Sequence, residues 1–241
     1  MANPSLLFAI FFAALLVQGG LSTTFTFKNN CAKTIWPGIQ DNPNVPAFPQ
    51  TGFTLAASAS NSITASSKWA GRIWGRTGCS TNAGRFTCQT GDCGTGQVAC
   101  NGNGGTPPAT LLEFTLDGSG GKDYYDISLV DGFNLPASIT PQGVSGCQTT
   151  SCSANINTQC PSQLQVTESG TVVACKSACL AFDQPQYCCT GAYNSPKTCK
   201  ATSYSEFFKK ECPQAYSYAY DDSSSTFTCP NGANYLITFC P

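Results

Sequence analysis

A mainly β fold held by disulfides is what this sequence predicts, on three observations. Short segments rich in aromatic and β-branched residues are bounded by Gly, Pro or Asn, the punctuation of a sandwich or barrel. Helical periodicity is absent from the first hundred residues. All 16 cysteines, an even number, lie beyond residue 30. Leu6 to Val17 is an apolar run followed by the small-residue stretch Gly19-Gly20-Leu21-Ser22, a secretory pattern with cleavage expected after Ser22. Residues 2–8 carry no Lys or Arg, so only the amino terminus supplies the usual positive charge. The run is shorter than the roughly 20 residues of a membrane span, so no transmembrane segment is expected. A chain entering an oxidising compartment with 16 cysteines predicts eight disulfides.

The elements follow in order. Thr24 to Lys28 alternates polar and aromatic residues and turns at Asn29-Asn30, a strand with one buried face. Ile35-Trp36-Pro37, Ser62-Ile63-Thr64 and Gly71 to Arg76 read as further short strands. From Thr77 to Pro108 the composition shifts to Gly, Thr and Asn with four cysteines, too few large apolar residues for a core. That segment is expected to be a small lobe held by two local disulfides. Thr110 to Leu116 and Tyr124 to Val130 resume the strand pattern, with Asp117-Gly118 and Asp131-Gly132 as turns. Cys147 to Cys212 holds nine cysteines and is loop-rich, a second crosslinked lobe with short helices. Ser203-Tyr204-Ser205-Glu206 fits a helix-opening capping box, and Pro213 ends that helix. The tail returns to strands through Tyr216, Tyr218 and Tyr220 at period two, then through Tyr235 to Phe239.

Composition excludes several functions. With 12 basic and 13 acidic residues and a net charge of −1, no electrostatic case exists for nucleic acid or an anionic membrane as partner. The chain has no histidine. Ser-His-Asp and Cys-His systems and most catalytic zinc sites are therefore out. Spacings such as Cys88-x4-Cys93, Cys147-x4-Cys152 and the adjacent Cys188-Cys189 are not zinc knuckles, so neither metal nor cofactor is expected.

Acid–base chemistry then falls to 13 carboxylates. Glu113 interrupts Leu112, Phe114 and Leu116, which share one strand face, and lies on the other face with Leu111 and Thr115. Asp126 and Asp131 are an odd number of residues apart, so they join only if Asp131 sits in the following turn. Arg72 shares a face with Trp74 and Arg76. Taken one at a time, Glu113 reads as solvent-facing, Asp131-Gly132 as a turn pair, and Arg72 and Asp221-Asp222 as surface decoration. Trp74 and the three tyrosines read as sheet packing.

Several motifs together resemble the plant thaumatin-like (pathogenesis-related) family, close to its acidic fruit allergens. They are Arg72-Ile73-Trp74-Gly75-Arg76-Thr77-Gly78-Cys79, Thr90-Gly91-Asp92-Cys93, Pro107 to Phe114, and Tyr125 to Asn134. Gln186-Tyr187-Cys188-Cys189, Cys212-Pro213 with Ala215 to Tyr218, and Phe239-Cys240-Pro241 complete the likeness, which spans the chain beyond the leader.

The resemblance implies a thaumatin-like β-sandwich core (23–76, 109–152, 213–241), a small disulfide-stapled lobe (77–108) and a disulfide-rich helical lobe (153–212) after a signal peptide (1–22). It implies the pairs Cys31–Cys240, Cys79–Cys88, Cys93–Cys100, Cys147–Cys229, Cys152–Cys212, Cys160–Cys175, Cys179–Cys188 and Cys189–Cys199. It implies an acidic cleft lined by Arg72, Glu113, Asp126, Asp131 and Asp222. Four carboxylates in one groove raise at least one pKa, supplying the proton donor that glycoside hydrolysis requires. Glu113 is then expected as general acid, Asp131 as base or nucleophile, and Arg72, Asp126 and Asp222 as substrate-binding residues. Two functions are compatible with this resemblance: an endo-β-1,3-glucanase of antifungal defence, or a glucan- or receptor-binding defence protein and allergen without turnover. Export to the cell-wall space and a monomeric state are expected.

Overall fold

The computed structural model describes residues 22–241; the expected signal peptide lies outside these residues except for Ser22. Ser22 itself opens β1 (Ser22–Asn29), paired with Ser66. The other strands are β2 (Trp36–Asp41), β3 (Ser60–Ser66), β4 (Ala70–Arg76), β5 (Ser80–Asn82), β6 (Arg85–Thr87), β7 (Leu111–Thr115) and β8 (Lys122–Ser128). After them come β9 (Ala137–Gln142), β10 (Thr150–Cys152), β11 (Gln165–Glu168), β12 (Thr171–Cys175), β13 (Phe227–Pro230) and β14 (Asn234–Phe239). Four short helices follow β12: α1 (Ala178–Phe182), α2 (Pro185–Cys188), α3 (Ser203–Glu211) and α4 (Asp222–Ser225).

Two five-stranded sheets form the sandwich, in the orders β10-β9-β14-β1-β3 and β13-β8-β7-β4-β2. The alternation seen in β1 buries Phe25 and Phe27 between the sheets, and Phe25 packs edge-on against Trp69 and Phe114. Ile73, Leu112, Phe114, Tyr125 and Ile127 bring the second sheet's inner face to the same core. Such aromatic contacts contribute about 0.5–1.5 kcal/mol each beyond area burial. Pro37 lies inside β2, which is tolerated because β2 is an edge strand.

The outer face of β4 is covered beyond Arg72. Trp74 and Arg76 are fully buried, covered by the segment after β4. Trp74 donates its indole N–H to the Gly91 carbonyl at 2.8 Å and packs with Cys93, Cys100, Ala109 and Leu111. The Arg76 guanidinium donates to the carbonyls of Trp36, Pro37 and Val98 and lies over the Phe86 ring. Its burial lowers its pKa to about 10 despite the nearby Asp92. A glycine- and asparagine-rich stretch without its own core is therefore held by one buried Trp, one buried Arg, and the disulfides Cys79–Cys88 and Cys93–Cys100.

The other six crosslinks are Cys31–Cys240, Cys147–Cys229, Cys152–Cys212, Cys160–Cys175, Cys179–Cys188 and Cys189–Cys199. Among the described residues no cysteine is free.

The region 153–212 holds, beside its short helices, the hairpin β11-β12, turned at Ser169 and Gly170, both at positive φ as a tight hairpin requires. Two local expectations are corrected. Helix α3 is capped one residue earlier than expected, because Thr202 accepts from the Ser205 backbone while the Ser205 hydroxyl accepts from the Thr202 N–H. Tyr216 to Tyr220 is not a strand. Only Tyr216 bridges to β8, and the Asp221 carboxylate then accepts from the Ser217 backbone and hydroxyl, folding 217–221 into a turn.

A candidate acidic cleft on the outer face of the second sheet

Glu113 is the centre of a cross-strand row. In the ladder β4-β7-β8, Arg72 lies opposite Glu113 and Glu113 lies opposite Asp126. Side chains directly opposite across antiparallel strands stand about 4.5–5.5 Å apart at Cβ, so the three groups must interact. All three are on the face opposite Ile73, Leu112 and Ile127, which enter the core. The strand register, set by burying those apolar residues, thereby puts one cation and two carboxylates outside in line.

Asp131 joins through the turn after β8. Gly132 N–H donates to the Leu129 carbonyl and Ala109 N–H donates to the Asp131 carbonyl, fixing the turn. Glycine is required there: Gly132 has φ +86°, and a Cβ would meet the Cys175 carbonyl oxygen at 2.6 Å. Asp222 comes from the first residue of α4, and the Tyr216 hydroxyl donates to its Oδ1 at 2.8 Å while also meeting the Thr226 hydroxyl.

All five expected residues, Arg72, Glu113, Asp126, Asp131 and Asp222, line one open depression of about 380 Å³, with Leu111, Ser128, Val130, Tyr216 and Ala219. Tyr216 is the polar contributor that the sequence reading assigned to packing. Its period-two spacing with Tyr218 and Tyr220 pointed to a strand, and nothing local signalled a hydroxyl aimed at Asp222.

The electrostatics are uneven. Arg72 Nε is 3.9 Å from Glu113 Oε1, a partly exposed pair. Burial raises the Glu113 pKa above its usual 4.5; Arg72 opposes that rise and Asp131 adds to it. Burial pushes Asp126 up to about 8, with the charges of Glu113 and Asp222 acting in the same direction. Burial thus raises the proton affinity of Asp126 and, in the same direction, of Glu113, which suits proton donation to an oxygen-rich neutral ligand. Among the described residues no group of three or more acidic or cysteine side chains is arranged to hold a metal ion, and no helix is long and apolar enough to cross a membrane.

The family model described as the thaumatin family matches residues 29–241. Over 243 residues the chain is 55% identical to thaumatin-like protein 1 of Castanea sativa, covering 100% of both chains. It is 57% identical over 226 residues to a Prunus avium protein named glucan endo-1,3-beta-glucosidase, covering 92% of each. Its fold is similar to a GH family 64 laminaripentaose-producing beta-1,3-glucanase from Paenibacillus barengoltzii, with a TM-score of 0.57, 12% identity, and coverage of 91% of this chain and 75% of that one.

Proposed function

The chain belongs to the thaumatin family, and on that premise we propose that it is a secreted plant defence protein whose acidic cleft binds and hydrolyses the β-1,3-glucan of fungal cell walls. The observation that carries the reading is the row Arg72, Glu113, Asp126 joined by Asp131 and Asp222 around one depression. The name carried by the Prunus avium relative supports the same substrate class. In this reading Glu113, whose pKa is raised by burial, is the general acid that protonates the glycosidic oxygen. Asp131 acts as base or nucleophile, and Arg72, Asp126 and Asp222 engage sugar hydroxyls.

A second reading, a glucan- or receptor-binding defence protein and allergen without turnover, draws support from Arg72. A guanidinium beside the proposed acid favours its ionised form, which is useful for gripping hydroxyls and adverse to proton donation. Reducing-sugar release from linear β-1,3-glucan separates the two. Turnover by the wild type that falls at least a hundredfold in Glu113→Gln and Asp131→Asn, with unchanged circular dichroism, supports hydrolysis. Co-sedimentation with glucan and no release by the wild type leaves binding alone.

A further inference from the structure

Asp126 is the one carboxyl of the cross-strand row with no cation at its side. Glu113 stands between it and Arg72 in the strand order. On its other flank the Tyr216 hydroxyl donates to Asp222, not to Asp126. The ion pairs among the described residues are Arg72–Glu113 and Lys209–Asp221, and neither includes it. Its Oδ1 is buried and has no hydrogen-bond partner. The groups around it are Arg72 on β4, Glu113 on β7, Asp131 in the turn after β8, Tyr216, and Asp222 on α4. A charged carboxylate placed between two others, with one oxygen out of water and unpartnered, is unfavourable on every count. Binding a proton removes both the repulsion and the desolvation.

We propose that Asp126 is held as a neutral carboxylic acid at pH 7 and serves as a positioning residue that donates its hydroxyl hydrogen to an oxygen of the bound sugar. The pKa of about 8 produced by burial and by Glu113 and Asp222 agrees with that geometry. A carboxylate only accepts, whereas the neutral acid both donates and accepts, so ionisation of Asp126 turns the floor of the cleft from mixed to acceptor-only. Sugar binding then weakens as pH rises through its titration. The donor role rests on the glucan reading; the protonation state does not.

The test uses the mature chain labelled with ¹³C at Asp carboxyl carbons, its disulfides intact, titrated from pH 4 to 10. One aspartate is expected to titrate near pH 8, to vanish in Asp126→Asn and to move to lower pH in Glu113→Gln, where a like charge is gone. Titration of the Asp126 resonance with ordinary aspartates, near about 4, overturns the proposal. A β-1,3-linked glucose pentasaccharide is then titrated calorimetrically at pH 6 and 9.5. Wild type is expected to bind it at least fivefold more weakly at the higher pH, and Asp126→Asn, which keeps a donor at all pH values, equally well at both. The same pH dependence in both proteins overturns the donor role. Absence of binding at either pH overturns the glucan reading and the donor role with it, while the carboxyl titration still decides whether Asp126 holds its proton.

Discussion

Replacing Asp126 by Asn should make the protein more stable at alkaline pH and leave it nearly unchanged at acid pH. The native state keeps a proton on Asp126 up to about pH 8, whereas the unfolded chain releases it near 3.8. Between those values the folded state binds more protons, so wild-type stability falls as pH rises through the window. At about 1.4 kcal/mol per pKa unit the full shift corresponds to a ceiling of about 6 kcal/mol. Asp126 is only partly shielded from solvent, and screening brings the expected gain for Asp126→Asn down to about 2–4 kcal/mol at pH 9.5. For a chain of this size that is a shift of roughly 5–15 °C in Tm. Asn is nearly isosteric with the neutral acid, so below pH 4 the difference should be within about 1 kcal/mol. Unfolding midpoints of both proteins at pH 4, 6, 8 and 9.5 give the comparison. The buried Asp123, also raised by burial, gives both proteins the same background slope, so only the difference between them is diagnostic. A difference that stays constant across pH would refute the reasoning, since it would mean that Asp126 has no elevated titration in the folded state.

Arg76 offers a second test. Arg76→Met should destabilise more than Arg76→Lys, because Met donates to none of the carbonyls of Trp36, Pro37 and Val98, whereas Lys keeps a charged donor, though without the fork that serves all three together. The three bonds come from a charged donor and contribute about 1.5–3 kcal/mol each, more together than the roughly 3 kcal/mol that burial of the charge costs, so Met should lose several kcal/mol net; urea unfolding reads the order, and the reverse order would sink the account. Thr202→Ala removes the acceptor that caps α3 and should cost about 1 kcal/mol in the same assay, whereas Ser203→Ala, one residue inside the helix, should cost little.

Much of the fold was legible because it rests on local periodicity. The aromatic alternation of β1, the Leu112-Phe114-Leu116 face and the tail Tyr235 to Phe239 each have one side that must leave water, and they bury as their spacing requires. The failures share a different cause. The tyrosines 216, 218 and 220 have strand spacing, but the long-range ion pair of Lys209 with Asp221, and the hold of Asp221 on Ser217, make a turn instead. Trp74 does pack, as its reading expects, but the surface that covers it and Arg76 on the outer face of their strand is a glycine-rich segment folding back, which no local period encodes.

The amino-acid sequence alone determined the mainly β class, the absence of imidazole chemistry and, through motif resemblance, the five residues gathered in the cleft. Those properties reside in composition, short periods and residue identity. Tertiary structure alone decided how the five differ: the register of three strands seats Arg72 against Glu113 and leaves Asp126 without a cation, and a turn directs Tyr216 to Asp222. The proton follows from that placement, because repulsion and desolvation depend on distances between groups far apart along the chain.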